Sequence, residues 1–332
     1  MDSVLHTQTS SQSSSPRLRP VGDAKLDDNA SVDSGVDSGF ASASASTASL
    51  PQVAFTKVHL KYLNKQLESM HPIDILRFVK LLFPNLYQST AFGLTGLVTL
   101  DMLSKINEEN PSSTPVDLIF LDTLHHFQET YDLVDRVRAR YPNVKIHSFK
   151  PDGVETAAEF DNLYGERLYE TSSELYDWIA KVEPQQRAYT DLGVAAILTG
   201  RRRSQGGQRG EMPVIEIDEE RGGIVKINPM VNWSFSDVQG YIREHNVPYN
   251  ALLDRGYKSI GDWHSTSPVS EGEDERAGRW KGQSKTECGI HNSKSRYAQY
   301  LAETAAREKG EQLAAALTQV EQERRVEVEV SS

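Results

Sequence analysis

Between residues 86 and 199, short apolar runs alternate with helix-length segments, and few architectures accept that alternation. The runs fall at 86–92, 116–122, 144–149 and 195–199, while 96–106 and 128–141 carry apolar residues at helical spacing. Strands and helices in strict succession imply a parallel sheet with crossover helices, because a parallel neighbour can be reached only by crossing a face of the sheet. A further helix precedes the first strand: Pro72 suits a first helical turn, Asp74 complements its dipole, and apolar residues follow at helical intervals. Downstream, 214–217 and 224–227 read as a hairpin around 220–223, and 236–245 reads as a capped helix.

In such sheets ligands bind beyond the carboxyl ends of the strands, so the loops leaving the strands carry the function. The first, 89–96, places Ser89, Thr90, Thr95, Gly93 and Gly96 between a strand and a helix, where backbone N–H groups and the helix dipole favour an anion. A tight turn that needs glycine reads equally well. No lysine follows Gly96, so this is neither the GxxxxGK[ST] phosphate loop nor GxGxxG. The second loop is Asp122-Thr123-Leu124-His125-His126-Phe127, and the third follows Thr199-Gly200 with Arg201, Arg202 and Arg203. Guanidinium forks fit phosphate or sulfate oxygens, and the alternative is a solvated basic loop.

Composition narrows the partners. A net charge of -11 argues against general nucleic-acid binding, so any anion site must be local. A second basic group, Arg276, Arg279, Lys281 and Lys285, stands shortly before Cys288, and two clusters suggest two anionic groups on one ligand. One cysteine in the chain excludes an internal disulfide and any all-cysteine metal site. Cys288 is then filler, a reactive thiol or neither. Its neighbours Thr286, Glu287, Gly289 and His291 are not the apolar run expected of a buried cysteine, and nearby cations favour a thiolate. His291 is a candidate acid or base, or a surface residue. Adjacent His125 and His126 point apart on a regular element, which disfavours a shared metal.

Four regions are expected: a disordered Ser/Ala-rich tail over 1–50, a nucleotide-binding α/β domain over 51–253, a Gly-, Ser- and charge-rich active-site tail over 254–295 too polar to be core, and a helical extension over 296–332. Without a run of about 20 apolar residues or a signal-like start, the expected location is the cytosol, with no membrane contact.

Several separate motifs together resemble the fungal phosphoadenylyl-sulfate reductases over residues 56–301: Thr90-Ala91-Phe92-Gly93-Leu94-Thr95-Gly96, the Asp122–Phe127 loop, Lys181-Val182-Glu183-Pro184, Thr199-Gly200-Arg201-Arg202, 261–266, 273–281 and Glu287-Cys288-Gly289-Ile290-His291. The resemblance implies the adenine nucleotide alpha-hydrolase-like (PP-loop superfamily) α/β fold, a homodimer, and a mobile C-terminal tail that brings Cys288 over the nucleotide. It implies that Cys288 takes the sulfo group of 3'-phosphoadenylyl sulfate, leaving adenosine 3',5'-bisphosphate, and that thioredoxin, the electron donor, frees sulfite; no bound cofactor is expected. The implied substrate-binding residues are Ser89, Thr90, Phe92, Gly93, Asp122, Thr123, Lys181, Gly200, Arg201, Arg202, Gln205, His264, Arg276, Arg279 and Lys281. Lys181, Arg276 and Arg279 would screen the repulsion between a thiolate and the sulfo group. Arg201 and Arg202 are candidates for the 3'-phosphate, with the assignment open. The first loop departs from the serine–glycine–glycine form of ATP-cleaving relatives. Relatives that reduce adenylyl sulfate carry paired cysteines for a four-iron cluster, and the matching positions here are Tyr176, Asp177, Asp262 and Ser265. An adenylyl-sulfate reductase, an adenylating enzyme and a nucleotide sensor of the same fold are the rival readings.

Overall fold

The computed structural model describes residues 55–219, 223–282, 285 and 287–291; the expected tail over 1–50 and helix over 296–332 lie outside them. Helices α1 (Lys57–Leu67) and α2 (Pro72–Leu82) lead into β1 (Leu86–Thr90), α3 (Leu94–Glu109), β2 (Leu118–Leu121), α4 (Gln128–Arg140) and β3 (Ile146–Phe149). Short helices α5 (Ala157–Tyr164), α6 (Leu168–Thr171) and α7 (Ser173–Asp177) follow. A single π turn, Trp178–Val182, joins α7 to α8 (Glu183–Asp191), after which come β4 (Ala196–Leu198), β5 (Ile215–Asp218), β6 (Ile224–Ile227) and α9 (Phe235–Glu244).

The strands form one six-stranded sheet in the order β3-β2-β1-β4-β6-β5, parallel except for β5. Side chains alternate between its faces. Leu118, Phe120, Ala196 and Leu198 pack with α2, α3, α4 and α9, whereas Ile119 and Ile197 pack with Ala188 and Tyr189 of α8. Apolar residues at successive strand positions are what a sheet covered on both faces requires. The chain builds β2 and β3 on one side of β1 and then crosses to β4 on the other, so a crevice opens at the carboxyl ends of β1 and β4.

The expected hairpin is present, with Ile215 opposite Ile227, but β6 also pairs in parallel with β4 and so extends the main sheet. The capped helix starts at Phe235, one residue earlier than its pattern indicates, because Ser234 and Asp237 form a reciprocal capping box. The larger difference lies in 254–282. Most of that segment is exposed or half-buried and none of it joins the hydrophobic core, yet it seats polar residues deeply: Asp262 is 1% exposed, and Ser265, Thr266 and Trp280 are buried too. Its polar atoms find partners in the second loop and within the segment itself. Trp263 N donates to His125 O at 2.9 Å, His126 and Asp262 form an antiparallel bridge, and Ser267 N donates to Gly278 O at 2.9 Å. Paired polar groups can be buried at little cost, so composition alone misjudges this segment. No helix among the described residues is long and apolar enough to cross a membrane.

Candidate active site

The loop after β1 turns at Phe92, whose φ of 55° is in the left-handed region, and Thr90 Oγ1 fixes the turn by accepting from Phe92 N at 2.8 Å. The turn is therefore not made by glycine. Gly93 has an ordinary φ of -69° and caps α3 without a side-chain hydrogen bond, leaving first-turn N–H groups facing the crevice. Gly96 is required by packing, since a Cβ there would stand 3.1 Å from Thr90 Oγ1. Ser89, Thr90, Phe92 and Gly93 all line a cavity of about 260 Å³ at the switch point.

Gly200, Arg201, Arg202 and Gln205 bring the third loop to the same cavity. The three successive arginines are not equivalent. Arg203 turns away to Glu68 and Asn232. Arg201 donates from Nε to Thr199 Oγ1 at 3.2 Å and pairs with Glu216. Arg202, only 2% exposed, donates from Nε to Thr95 Oγ1 at 2.9 Å, from Nη1 to Ser204 Oγ at 2.7 Å, and from Nη2 to both oxygens of Glu275 at 2.8 and 2.7 Å. Its guanidinium therefore joins the first loop, the third loop and the C-terminal segment.

The π turn supplies the deepest cation. Lys181 Nζ lies 3.0 Å from Asp177 Oδ1 and 2.8 Å from Asp262 Oδ2, and Thr123 Oγ1 donates to Asp262 Oδ1 at 2.7 Å. Burial alone would lower the Lys181 pKa, but the two carboxylates carry it well above the lysine range. Lys181 in turn holds Asp262 far below the carboxylate range against its own burial. All three groups are thus ionised. Of the four cluster-type positions, Asp177 and Asp262 are these two carboxylates, the Tyr176 ring centroid lies 5.1 Å from Lys181 Nζ, and Ser265 Oγ donates to Asp262 O at 3.4 Å.

Arg276 and Arg279 close the cavity, both over the Trp280 ring, at 5.6 and 4.6 Å from its centroid. Burial lowers Arg276 to about 10 and lowers Arg279 as well. Cys288 also lines the cavity, within Coulombic reach of Lys181, Arg276 and Arg279. The residue before it, Glu287, receives two hydrogen bonds from Arg209, from Nε at 2.9 Å and from Nη2 at 2.8 Å. Arg209 holds Glu287 below its ordinary pKa despite burial.

Some expected site residues stand elsewhere. Asp122 accepts from Tyr131 OH at 2.8 Å and from Leu124 N at 3.0 Å, so it braces its own loop instead of lining the cavity. His264 lies behind Asp262, stacked on Tyr169 at 3.8 Å between ring centroids. Lys281 is exposed, 3.9 Å from Glu273. His291 ends a short 3-10 turn, Gly289–His291. His125 and His126 do point apart: one enters the aromatic cluster of Phe160, Tyr169 and Tyr176, and the other stacks on Phe120. Among the described residues no group of three or more His, Cys, Asp or Glu could hold a metal ion. Sequence reasoning missed Arg209, Glu275 and Glu287 as site residues and saw Asp177 and Asp262 only as cluster positions. The available signal was membership of the quoted motifs, 261–266 for Asp262, 273–281 for Glu275 and Glu287-Cys288-Gly289 for Glu287; Arg209 and Asp177 lie outside all of them.

A family model described as the phosphoadenosine phosphosulfate reductase domain matches residues 85–268, more than half of the chain. The chain belongs to this family. It is 59% identical over 281 residues to the phosphoadenosine phosphosulfate reductase of Emericella nidulans, covering 85% of this chain and 90% of that one. With the Saccharomyces cerevisiae enzyme of the same name it shares 52% over 257 residues, covering 76% and 97%. Among solved structures it is similar to the phosphoadenylyl-sulfate (PAPS) reductase from Candida auris in a phosphate complex, at 54% identity and a TM-score of 0.59, covering 65% of this chain and all of that one.

Proposed function

We propose that this family member reduces 3'-phosphoadenylyl sulfate to sulfite with electrons from thioredoxin, as a step of sulfate assimilation. The observation that carries the reading is the position of the chain's single cysteine, in the same cavity as the Gly93 and Arg201–Arg202 loops and within the field of Lys181, Arg276 and Arg279. The Cys288 thiolate attacks the sulfo sulfur, the bond from that sulfur to the 5'-phosphate oxygen breaks, and the electron pair leaves with adenosine 3',5'-bisphosphate. A thioredoxin thiolate then attacks Cys288 Sγ and expels sulfite, and the second thioredoxin thiol resolves the mixed disulfide, so the dithiol supplies both electrons. The three cations offset the repulsion between two anions and stabilise charge on the sulfo group. Ser89, Thr90, Gly93, Thr123, Gly200 and Gln205 are assigned to the nucleotide, with Arg201 nearest in role to the 3'-phosphate. A homodimer in the cytosol belongs to the same reading.

Purified protein incubated with substrate and no thioredoxin should carry a sulfonate on Cys288, seen as a mass increase, with release of the bisphosphate nucleotide. Thioredoxin should remove that adduct and release sulfite, and Cys288→Ser should abolish sulfite release while keeping nucleotide binding. A bacterial relative named adenosine 5'-phosphosulfate reductase, from Halalkalibacterium halodurans, is 36% identical over 236 residues, so both sulfonucleotides belong in the assay. Faster turnover of adenylyl sulfate would overturn the substrate assignment, and sulfite from Cys288→Ser at a comparable rate would overturn the covalent step.

A further inference from the structure

Asp177 touches both the site and the segment that carries the cysteine. On one side its Oδ1 lies 3.0 Å from Lys181 Nζ, four residues on across the π turn. On the other, Oδ2 accepts from Gly289 N at 2.8 Å and pairs with the Lys285 ammonium. Cys288 thus stands between two residues held by one buried carboxylate. The fit at Gly289 is close: a Cβ there would stand 2.7 Å from Asp177 Cβ and 3.0 Å from Oδ2, so only glycine allows the backbone to approach. Lys285 also lies over the Trp280 ring at 5.3 Å, and the Arg209–Glu287 pair grips the chain just before the cysteine.

From this geometry we infer that Asp177 is a positioning residue, the latch that seats the cysteine segment over the cavity and ties its closure to the Lys181 end of the site. The inference rests on the reductase reading for its catalytic consequence. Asp177 is held below the usual carboxylate range by Lys181 and Lys285, which outweigh its burial, so the latch is an anion with three partners, Lys181, Lys285 and the Gly289 N–H. Because the latch acts on the thiol and not on the nucleotide, removing it should change kcat and leave nucleotide affinity alone.

The test uses the full chain with Asp177→Asn, which keeps the size and one acceptor, and Gly289→Ala, which alters only the segment. Both variants should be cut by trypsin after Lys285 about tenfold faster than the parent, because cleavage follows the population of the open form. Both should lose kcat for sulfite release by up to about 100-fold, as expected for a misplaced reacting group. Affinity for adenosine 3',5'-bisphosphate should stay within about twofold, a difference of roughly 0.4 kcal/mol. Unchanged cleavage in both variants, or bisphosphate affinity lost in step with kcat in Asp177→Asn, overturns the latch. The proteolysis arm needs no turnover. If the parent made no sulfite while both variants opened at Lys285, the latch would stand and the reductase reading would fall.

Discussion

His264 shows how a residue expected at the substrate can serve the scaffold. Its Nε2 is buried without a hydrogen bond, and the nearest carboxylate oxygen, Asp262 Oδ2, is 3.7 Å away. Burial lowers its pKa to about 4, more than the pull of Asp262 raises it. The sign of the consequence follows from linkage. With the folded value below the unfolded value of about 6.5, the unfolded chain binds the extra proton between those limits, so this histidine's contribution is complete above about pH 6.5 and is lost as pH falls toward 4. His264→Phe preserves the stack on Tyr169 and removes the titration. The variant's Tm should fall less between pH 7 and pH 5 than the parent's, measured by thermal unfolding in matched buffers; equal acid losses would assign them to other groups.

Helix α9 packs against α3 and its first residue, Phe235, lines the cavity, so the capping box at Ser234 is a stability element at the edge of the site. Ser234→Ala should cost about 1 kcal/mol in urea unfolding and leave turnover at 25 °C nearly unchanged, since Ser234 itself does not line the cavity. Elements of this kind were legible in the sequence because each announces itself locally: Ser234 ahead of an amphipathic run, Pro72 in a first turn, and the apolar strand runs from Leu86 to Thr199. The π turn gave no such sign, as Trp178–Val182 has the composition of any helix, and its extra residue is set by tertiary packing. The burial of Asp262 and Ser265 within 254–282 was illegible for the opposite reason. Hydropathy counts Asp262 and Ser265 as solvent-seeking, whereas Asp262 is partnered by Lys181 and Thr123 from elsewhere in the chain and Ser265 by Asp262 O and Trp280 N within the folded segment. Cys288 and its cations could be read from residue type and motif, but Asp177 and Arg209 become site residues only through what the fold sets beside them.

At the scale of the whole molecule, a chain of net charge -11 concentrates cations in one crevice and covers several of them with a carboxylate: Arg201 with Glu216, Arg202 with Glu275, Arg209 with Glu287, Lys181 with Asp177 and Asp262. An anionic ligand must therefore exchange with protein carboxylates, and the arginines differ in how readily they can do so. Arg202 is buried, and its three donor positions reach Thr95, Ser204 and Glu275 in three separate segments, so removing it leaves Glu275 nearly buried and unpaired. Arg202→Gln should lower stability by about 3–5 kcal/mol, the cost of breaking a buried pair, and weaken AMP and adenosine 3',5'-bisphosphate alike. Arg201 lines the same cavity with a slightly more exposed side chain, is held only by Thr199 and by a part-exposed Glu216 among its side-chain partners in the described residues, and is freer to turn toward a ligand. Arg201→Gln should cost less stability than Arg202→Gln, since Glu216 keeps more contact with water than Glu275 does. It should weaken the bisphosphate about tenfold, or roughly 1.4 kcal/mol, while AMP binding stays nearly unchanged. Calorimetric titration of both nucleotides into both variants, beside urea unfolding, separates the two roles, and a bisphosphate-selective loss in Arg202→Gln but not in Arg201→Gln would reverse the assignment.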